Sequence, residues 1–312
     1  MDLSRRDALK AMVAAGGAAV ATATTPAKTD AATARPDAVG MLYDSTRCIG
    51  CKACMVACNK ANNLAPDTAL SDGLWQIPLD LNAQTKNIIK LYQDPKSGEH
   101  AFVKRQCMHC LDPACTSGCL LGALKQGDYG VGSYNADLCI GCRYCEMACP
   151  FNIPKFEWSS RAPKIVKCEF CKERLAEGKQ PACCEVCPSG AVVYGKYTGL
   201  LAEAHARLDQ HPDRYVPKVY GESEVGGTQV LYLAHTDFAK LGLPAYGPDP
   251  VPTGVREVFQ EIYQGIVPPV ALYALLAAVL MRSRRQITGE PSPTEPSPTE
   301  PSQTGAQETE QS

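Results

Sequence analysis

Cys139 to Pro150, CIGCRYCEMACP, sets four cysteines in eleven residues and follows the last with proline. The spacers are two, two and three residues. The same grammar stands at Cys48, Cys51, Cys54 and Cys58 (CIGCKACMVAC). Cys107, Cys110, Cys115 and Cys119 repeat it with the second spacer lengthened to four. Cys168 and Cys171 open a fourth group, which closes in QPACCEVCPSG. All 17 cysteines of the 312-residue chain fall between Cys48 and Cys187.

Three cysteines two residues apart can wrap a tight loop around one cubane and offer it three thiolates. The fourth lies on the helix that follows, points away, and reaches a neighbouring cluster; this is the spacing of bacterial ferredoxins. Glycine beside a ligand, at Gly50 and Gly141, is expected to let the backbone approach the inorganic sulfides. The rival chemistries fail on specific points. Three cysteines within seven residues do not pair readily with one another as disulfides, and an odd total leaves one over. Zinc takes CxxC pairs separated by a long gap, which gives the third and fourth cysteines of each group no place. Covalent haem needs CxxCH, and no CxxC here is followed by histidine.

Groups one, two and three each end in C-x3-C. In the fourth, Cys183 to Cys187 keeps that step and Cys184 to Cys187 does not. Choosing Cys183 makes the group C-x2-C-x11-C-x3-C-P, with a long insertion in the second spacer. Four groups of four then supply sixteen ligands, enough for four 4Fe–4S clusters, and Cys184 is the cysteine expected to hold none.

Only 19 residues separate Cys119 from Cys139, so groups two and three must be neighbours. Groups one and four then pair with each other. The expected fold is α+β: two dicluster-ferredoxin-like units, the inner one (100–150) inserted in an outer one, together spanning 40–200. Short strands should follow groups two and four, in CLLGALKQGDYG and CPSGAVVYGKY. The insertion Asn59 to Gln106 contains strand-like NIIKLY and AFVK and is expected to be a docking surface. Lys52, Arg143 and Lys172 stand beside ligands, as solvated charges or as influences on potential. His109, between two ligands, is read as packing or as a hydrogen-bond donor, not a ligand.

A net charge of −2 and the lack of a basic stripe give no sign of nucleic-acid binding. SRRDALK and the alanine-rich run after it resemble a twin-arginine export signal over 1–34. Ala8 stands where a large apolar residue usually follows the pair, and cleavage could follow either of two A-x-A sites. Such export carries folded, cofactor-loaded proteins. After an extension over 201–262, the uncharged run GIVPPVALYALLAAVLM and its flanks (263–285) are expected to form a transmembrane anchor across a core of about 30 Å. The RSRR behind it points that end to the cytoplasm. The Pro/Ser/Thr/Glu-rich tail, 286–312, has nothing to bury and is expected to be disordered.

The four motifs in this order resemble the four-cluster electron-transfer subunits of membrane-bound respiratory oxidoreductases, over roughly residues 40 to 281. GMLYDSTRCIGCKAC, KRQCMHCLDPAC, GGTQVLYL and TGVREVFQEIYQGIVPPV are similar to the ferredoxin-type subunit of type-2 membrane-bound nickel–iron hydrogenase. GGTQVLYL is similar to the formate dehydrogenase branch as well. The resemblance implies swapped fourth ligands. Cys48, Cys51, Cys54 and Cys187 would hold one cluster, and Cys58, Cys168, Cys171 and Cys183 a second. Cys107, Cys110, Cys115 and Cys149 would hold a third, and Cys119, Cys139, Cys142 and Cys145 a fourth. Asn59 and Leu120 stand where the family often has proline. The implied role is non-catalytic: electrons pass from the catalytic subunits of a periplasmic hydrogenase to an integral membrane, quinone-reactive subunit, on the periplasmic side of the cytoplasmic membrane. A molybdopterin partner such as formate dehydrogenase, a stand-alone periplasmic ferredoxin and a structural zinc protein are the alternatives.

Overall fold

The structure, a computed structural model, describes residues 34–65, 78–158, 160, 163–252 and 272–282. Residues 34–252 belong to one unit, and 272–282 to another that is described by itself. The first unit carries, in chain order, β1 (Val39–Asp44), α1 (Ala53–Ala61), β2 (Asn87–Gln93), β3 (His100–Gln106), α2 (Ala114–Ser117), β4 (Leu124–Gln126), β5 (Gly132–Tyr134), α3 (Tyr144–Ala148), β6 (Lys155–Phe156), β7 (Ile165–Val166), α4 (Lys172–Ala176), α5 (Ala182–Glu185), β8 (Val192–Lys196), α6 (Tyr197–Gln210) and β9 (Val230–Leu233).

β1 is the hub. All six of its residues are buried, as the near-continuous apolar run VGMLY requires of a strand covered on both faces. β8 pairs with it antiparallel, Met41 opposite Tyr194. β9 pairs with it in parallel, Met41 opposite Val230. That sheet closes group one onto group four, and α1 packs on α5. Between them α2 packs on α3, joining group two to group three. The helices that carry ligand candidates are mostly four or five residues long, too short to stand alone, so tertiary contacts must hold them.

GGTQVLYL stitches the two halves together. The backbone N–H groups of Gln229 and Val230 donate to the carbonyls of His109 and Met108 at 2.9 and 3.2 Å. The Gln229 amide donates to the carbonyls of Val39 and Tyr129 at 2.6 and 2.7 Å. Residues 228–233, well beyond residue 200, are therefore woven into the central sheet.

Part of the segment expected to be a docking surface is core. β2 and β3 form an antiparallel hairpin in which Ile88, Ile89, Ala101, Val103, Lys104 and Gln106 are buried. Ile88 and Ile89 are adjacent and both buried, as are Val103 and Lys104, so the hairpin is covered on both faces there. Residues 66–77 of that insertion lie outside the described residues.

In the second unit, 272–282 form a helix with Tyr273, Leu280 and Met281 exposed. No helix among the described residues is long and apolar enough to cross a membrane. The rest of the anchor expected over 263–285, the export signal up to residue 33 and the tail over 286–312 lie outside the described residues.

Candidate functional site

Each of the four CxxC loops turns in the same way. The residue before the second cysteine has positive φ in every case: Gly50 at 68°, His109 at 49°, Gly141 at 74° and Phe170 at 54°. Lys52, Arg143 and Cys171, one or two places further on, are left-handed too. This reversal is what folds three cysteines around a common centre. It also gives glycine a reason in its own backbone, the positive φ. A Cβ on Gly50 would stand 2.3 Å from the Phe102 ring, and one on Gly141 would meet Pro163 at 3.3 Å. The glycines answer to φ and to their protein neighbours.

The long-range packing then assembles foursomes. Cys48, Cys51, Cys54 and Cys187 line one cavity, together with Tyr43 and Ile89. Cys119, Cys139, Cys142 and Cys145 line another, with Leu124, Tyr134 and Phe156. In both, three cysteines come from one sequence group and the fourth from another. Two further sets are brought within electrostatic reach of one another: Cys58 with Cys183, Cys171 and Cys168, and Cys107 with Cys110, Cys115 and Cys149. The four follow one another in space. Cys54 neighbours Cys183, Cys168 neighbours Cys107, and Cys145 neighbours Cys115. All 17 cysteines are free thiols. Among the described residues no three of histidine, cysteine, aspartate and glutamate converge as they would on a single ion; the thiols ring cavities instead.

Burial favours the protonated form of the most deeply buried of these thiols. Cys54 and Cys145 are pushed up to about 12, and Cys58 and Cys149 to about 11. Cys183 is the exception. Cys184 donates a hydrogen bond to it, Lys104 lies nearby, and its pKa falls to about 6. The same bond and burial push Cys184 up. Within the adjacent pair, the hydrogen bond thus favours the thiolate of Cys183 over that of Cys184.

The side chains between the thiols suit an anionic, hydrogen-bond-accepting group. His109 accepts the Gly132 N–H on Nδ1 at 3.3 Å, so its ring proton sits on Nε2, which is buried without a protein partner. Burial, then Lys167, drives its pKa well below the usual value, and the ring stays a neutral donor. Arg143 lies 3.8 Å over the Trp158 ring and also near Phe156. Lys172 is neutralised by Glu169 at 2.9 Å. The two cations that sequence reading missed are Lys104 and Lys167, both buried among the cysteines. No local signal marks them, because neither a strand lysine nor one before a cysteine is ordinarily buried.

The outer foursomes reach the surface. Cys51 and Cys142 are exposed, whereas Cys58, Cys168, Cys171 and Cys183 are buried. Exposed Ile49 and Val56 lie near the first end, and exposed Leu120, Leu121, Leu138 and Ile140 surround the other.

Residues 99–197 match the 4Fe-4S dicluster domain family. The chain is 36% identical over 285 residues to the hydrogenase-2 operon protein HybA of Escherichia coli O157:H7, covering 80% of this chain and 86% of that one. The chain belongs to the ferredoxin-type iron–sulfur electron-transfer subunits. The subunit is also 34% identical over 248 residues to the nitrate-inducible formate dehydrogenase iron-sulfur subunit of Escherichia coli strain K12, covering 77% and 81% of the two chains. A 41% identical protein of Nitratidesulfovibrio vulgaris matches over 247 residues, 77% of this chain and 67% of its own. The formate dehydrogenase relatives are iron-sulfur subunits by name.

Proposed function

We propose that sixteen cysteines of this subunit hold four 4Fe–4S clusters in the four sets implied by the family, with Cys184 holding none. The observation that carries this is the make-up of the two cavities, where Cys187 completes the set of Cys48, Cys51 and Cys54, and Cys119 that of Cys139, Cys142 and Cys145. No spacing within a single group would produce that pairing. The architecture is then two dicluster units, one inserted in the other. Bound clusters supply reversible one-electron chemistry, whose potential depends on hydrogen bonds and exposure.

The chain's own part is to space, insulate and orient. Buried aromatic and aliphatic side chains such as Tyr43, Ile89 and Phe170 exclude water from the thiols. The exposed loops at Cys51 and Cys142 are the two ends at which electrons enter and leave, and the apolar residues around them are surfaces for partners. On this reading the subunit contains no catalytic residue. It takes electrons from the catalytic subunits of a periplasmic nickel–iron hydrogenase and delivers them to an integral membrane, quinone-reactive subunit, held at the membrane by residues 263–285. The similarity to HybA supports a hydrogenase partner, and the similarity to formate dehydrogenase subunits supports a molybdopterin enzyme in its place.

Purification of the intact complex with metal analysis tests both levels. The expected result is four irons and four acid-labile sulfides for each proposed cluster, with nickel in the complex. Molybdenum without nickel would replace the hydrogenase partner, and zinc without iron or sulfide would end the cluster reading.

A further inference from the structure

Lys104 lies on β3 opposite Ile89 and is 0% exposed. Its ammonium donates to Oε1 of Gln106, a neutral amide, and its carbonyl accepts the Tyr232 hydroxyl at 2.7 Å. Among the described residues no carboxylate forms an ion pair with it. A lysine is almost never fully buried unless paired, because an uncompensated ammonium out of water costs several kcal/mol. The anionic candidates within its electrostatic reach are Cys183, Cys54 and Cys168. Cys54 belongs to the first proposed set, and Cys168 and Cys183 to the second. Lys104 therefore stands at their junction. Lys167, 3% exposed, occupies the next junction in the same manner, with Cys107 and Cys115 on one side and Cys168 on the other. Its ammonium donates to the carbonyls of Gly132 and Cys168 at 2.8 and 3.2 Å, and Glu169 is a further neighbour.

The geometry points to Lys104 as the fixed counter-charge of the first junction, one buried cation shared by two neighbouring clusters that favours the reduced state of both. This rests on the ligand sets proposed above. Each electron that arrives adds one negative charge, and a cation held in a low-dielectric interior stabilises that charge far more than it would in water. Because the cation is shared, both potentials rise together and the step between them stays shallow. One electron moves from one set to the next. Lys104 keeps its proton throughout, so no proton transfer accompanies the step.

The test uses the full chain purified with its clusters. Lys104→Met and Lys104→Gln remove the charge, and Lys104→Arg keeps it. Iron and acid-labile sulfide are measured first, and each protein is then titrated potentiometrically with electron paramagnetic resonance detection. The expected result for the neutral variants is a fall of about tenfold in the reduction equilibrium of two centres, ~59 mV for a one-electron couple. The other two centres hold their potentials, and the arginine variant matches wild type. Unchanged potentials in a fully loaded neutral variant overturn the inference, as does an equal fall in the arginine variant. Neutral variants that lose iron while the arginine variant keeps it support a requirement for the charge. Loss of iron in all three variants makes Lys104 a packing element and overturns the inference. A wild-type chain without iron and sulfide is a separate failure, that of the ligand sets themselves.

Discussion

His109 and Phe170 meet edge to face, with ring centroids 4.3 Å apart and planes at 85°. They hold the same place in two different CxxC loops, and both have the positive φ that Gly50 and Gly141 supply in the other two. A left-handed conformation costs a residue with a side chain about 1–2 kcal/mol. The stacked, buried pair offsets that strain and locks the second group against the fourth.

Phe170 is fully buried, so Phe170→Ala should destabilise the iron-loaded chain by about 3–5 kcal/mol, as large-to-small core changes do. Denaturant unfolding followed by circular dichroism checks this. An unchanged midpoint would mean that the loop holds its shape without the stack.

Gly50→Ala should be far more damaging than Gly141→Ala, although both positions are left-handed. The new Cβ would meet the Phe102 ring at 2.3 Å in the first case and Pro163 at 3.3 Å in the second. Iron analysis should report the loss of one cluster in Gly50→Ala and near-complete loading in Gly141→Ala. Equal losses would show that φ alone matters.

Cys184→Ser should keep all four clusters, and Cys183→Ser should lose or cripple one. The hydrogen bond that favours the Cys183 thiolate comes from Cys184, and a serine hydroxyl can still donate it. Iron content and the number of paramagnetic centres decide between the two cysteines. The reverse pattern would shift the register of the fourth group by one residue.

Asp44 is fully buried and accepts from Arg207 at 3.1 Å and from the Tyr215 hydroxyl at 2.8 Å. The cluster of bonds ties α6 to the hub strand. Arg207→Ala would leave a buried carboxylate without its main counter-charge, at a cost of about 3–5 kcal/mol. Arg207→Ala combined with Asp44→Ala should recover part of that loss in thermal unfolding. A double variant no better than the single one would place the effect in lost packing.

Raised thiol pKa values set the behaviour with pH. In the metal-free fold, burial favours the protonated thiols of Cys54, Cys58, Cys145 and Cys149. That stabilisation is complete below the ordinary thiol value of 9.0 and is lost as pH rises towards about 11–12. Iron takes the thiolate, so loading releases protons and weakens as pH falls. Far-ultraviolet circular dichroism should show the metal-free chain unfolding between about pH 9 and pH 12 and the loaded chain unaffected there. Identical curves would mean that these thiols are not buried in the metal-free state.

Much of the site was legible in the chain. The motif at Cys139 to Pro150 confines three cysteines to one short loop, and a loop of seven residues has few ways to fold around a centre. The x3 step favours Cys183 over Cys184 as the proposed ligand. Linker length was enough to pair group two with group three, because 19 residues cannot reach far. The buried hairpin of β2 and β3 was legible as strands but not as core, since strand-forming residues mark the element and not what covers it.

What the sequence by itself determined is therefore local. Spacing pointed to the cofactor chemistry, grouped the cysteines in threes and left the fourth of each group to reach a neighbouring set. Tertiary structure decided what depends on distant segments meeting. The closure of β8 and β9 on β1 brings Cys187 to Cys48, Cys51 and Cys54. The same packing buries Lys104 and Lys167 among thiols far away in sequence. It also makes Phe170 serve where glycine serves elsewhere, because the His109 ring is there to stack against it. Bond geometry acts over a few residues, whereas burial and electrostatics act through space, and only the folded chain specifies which groups share that space.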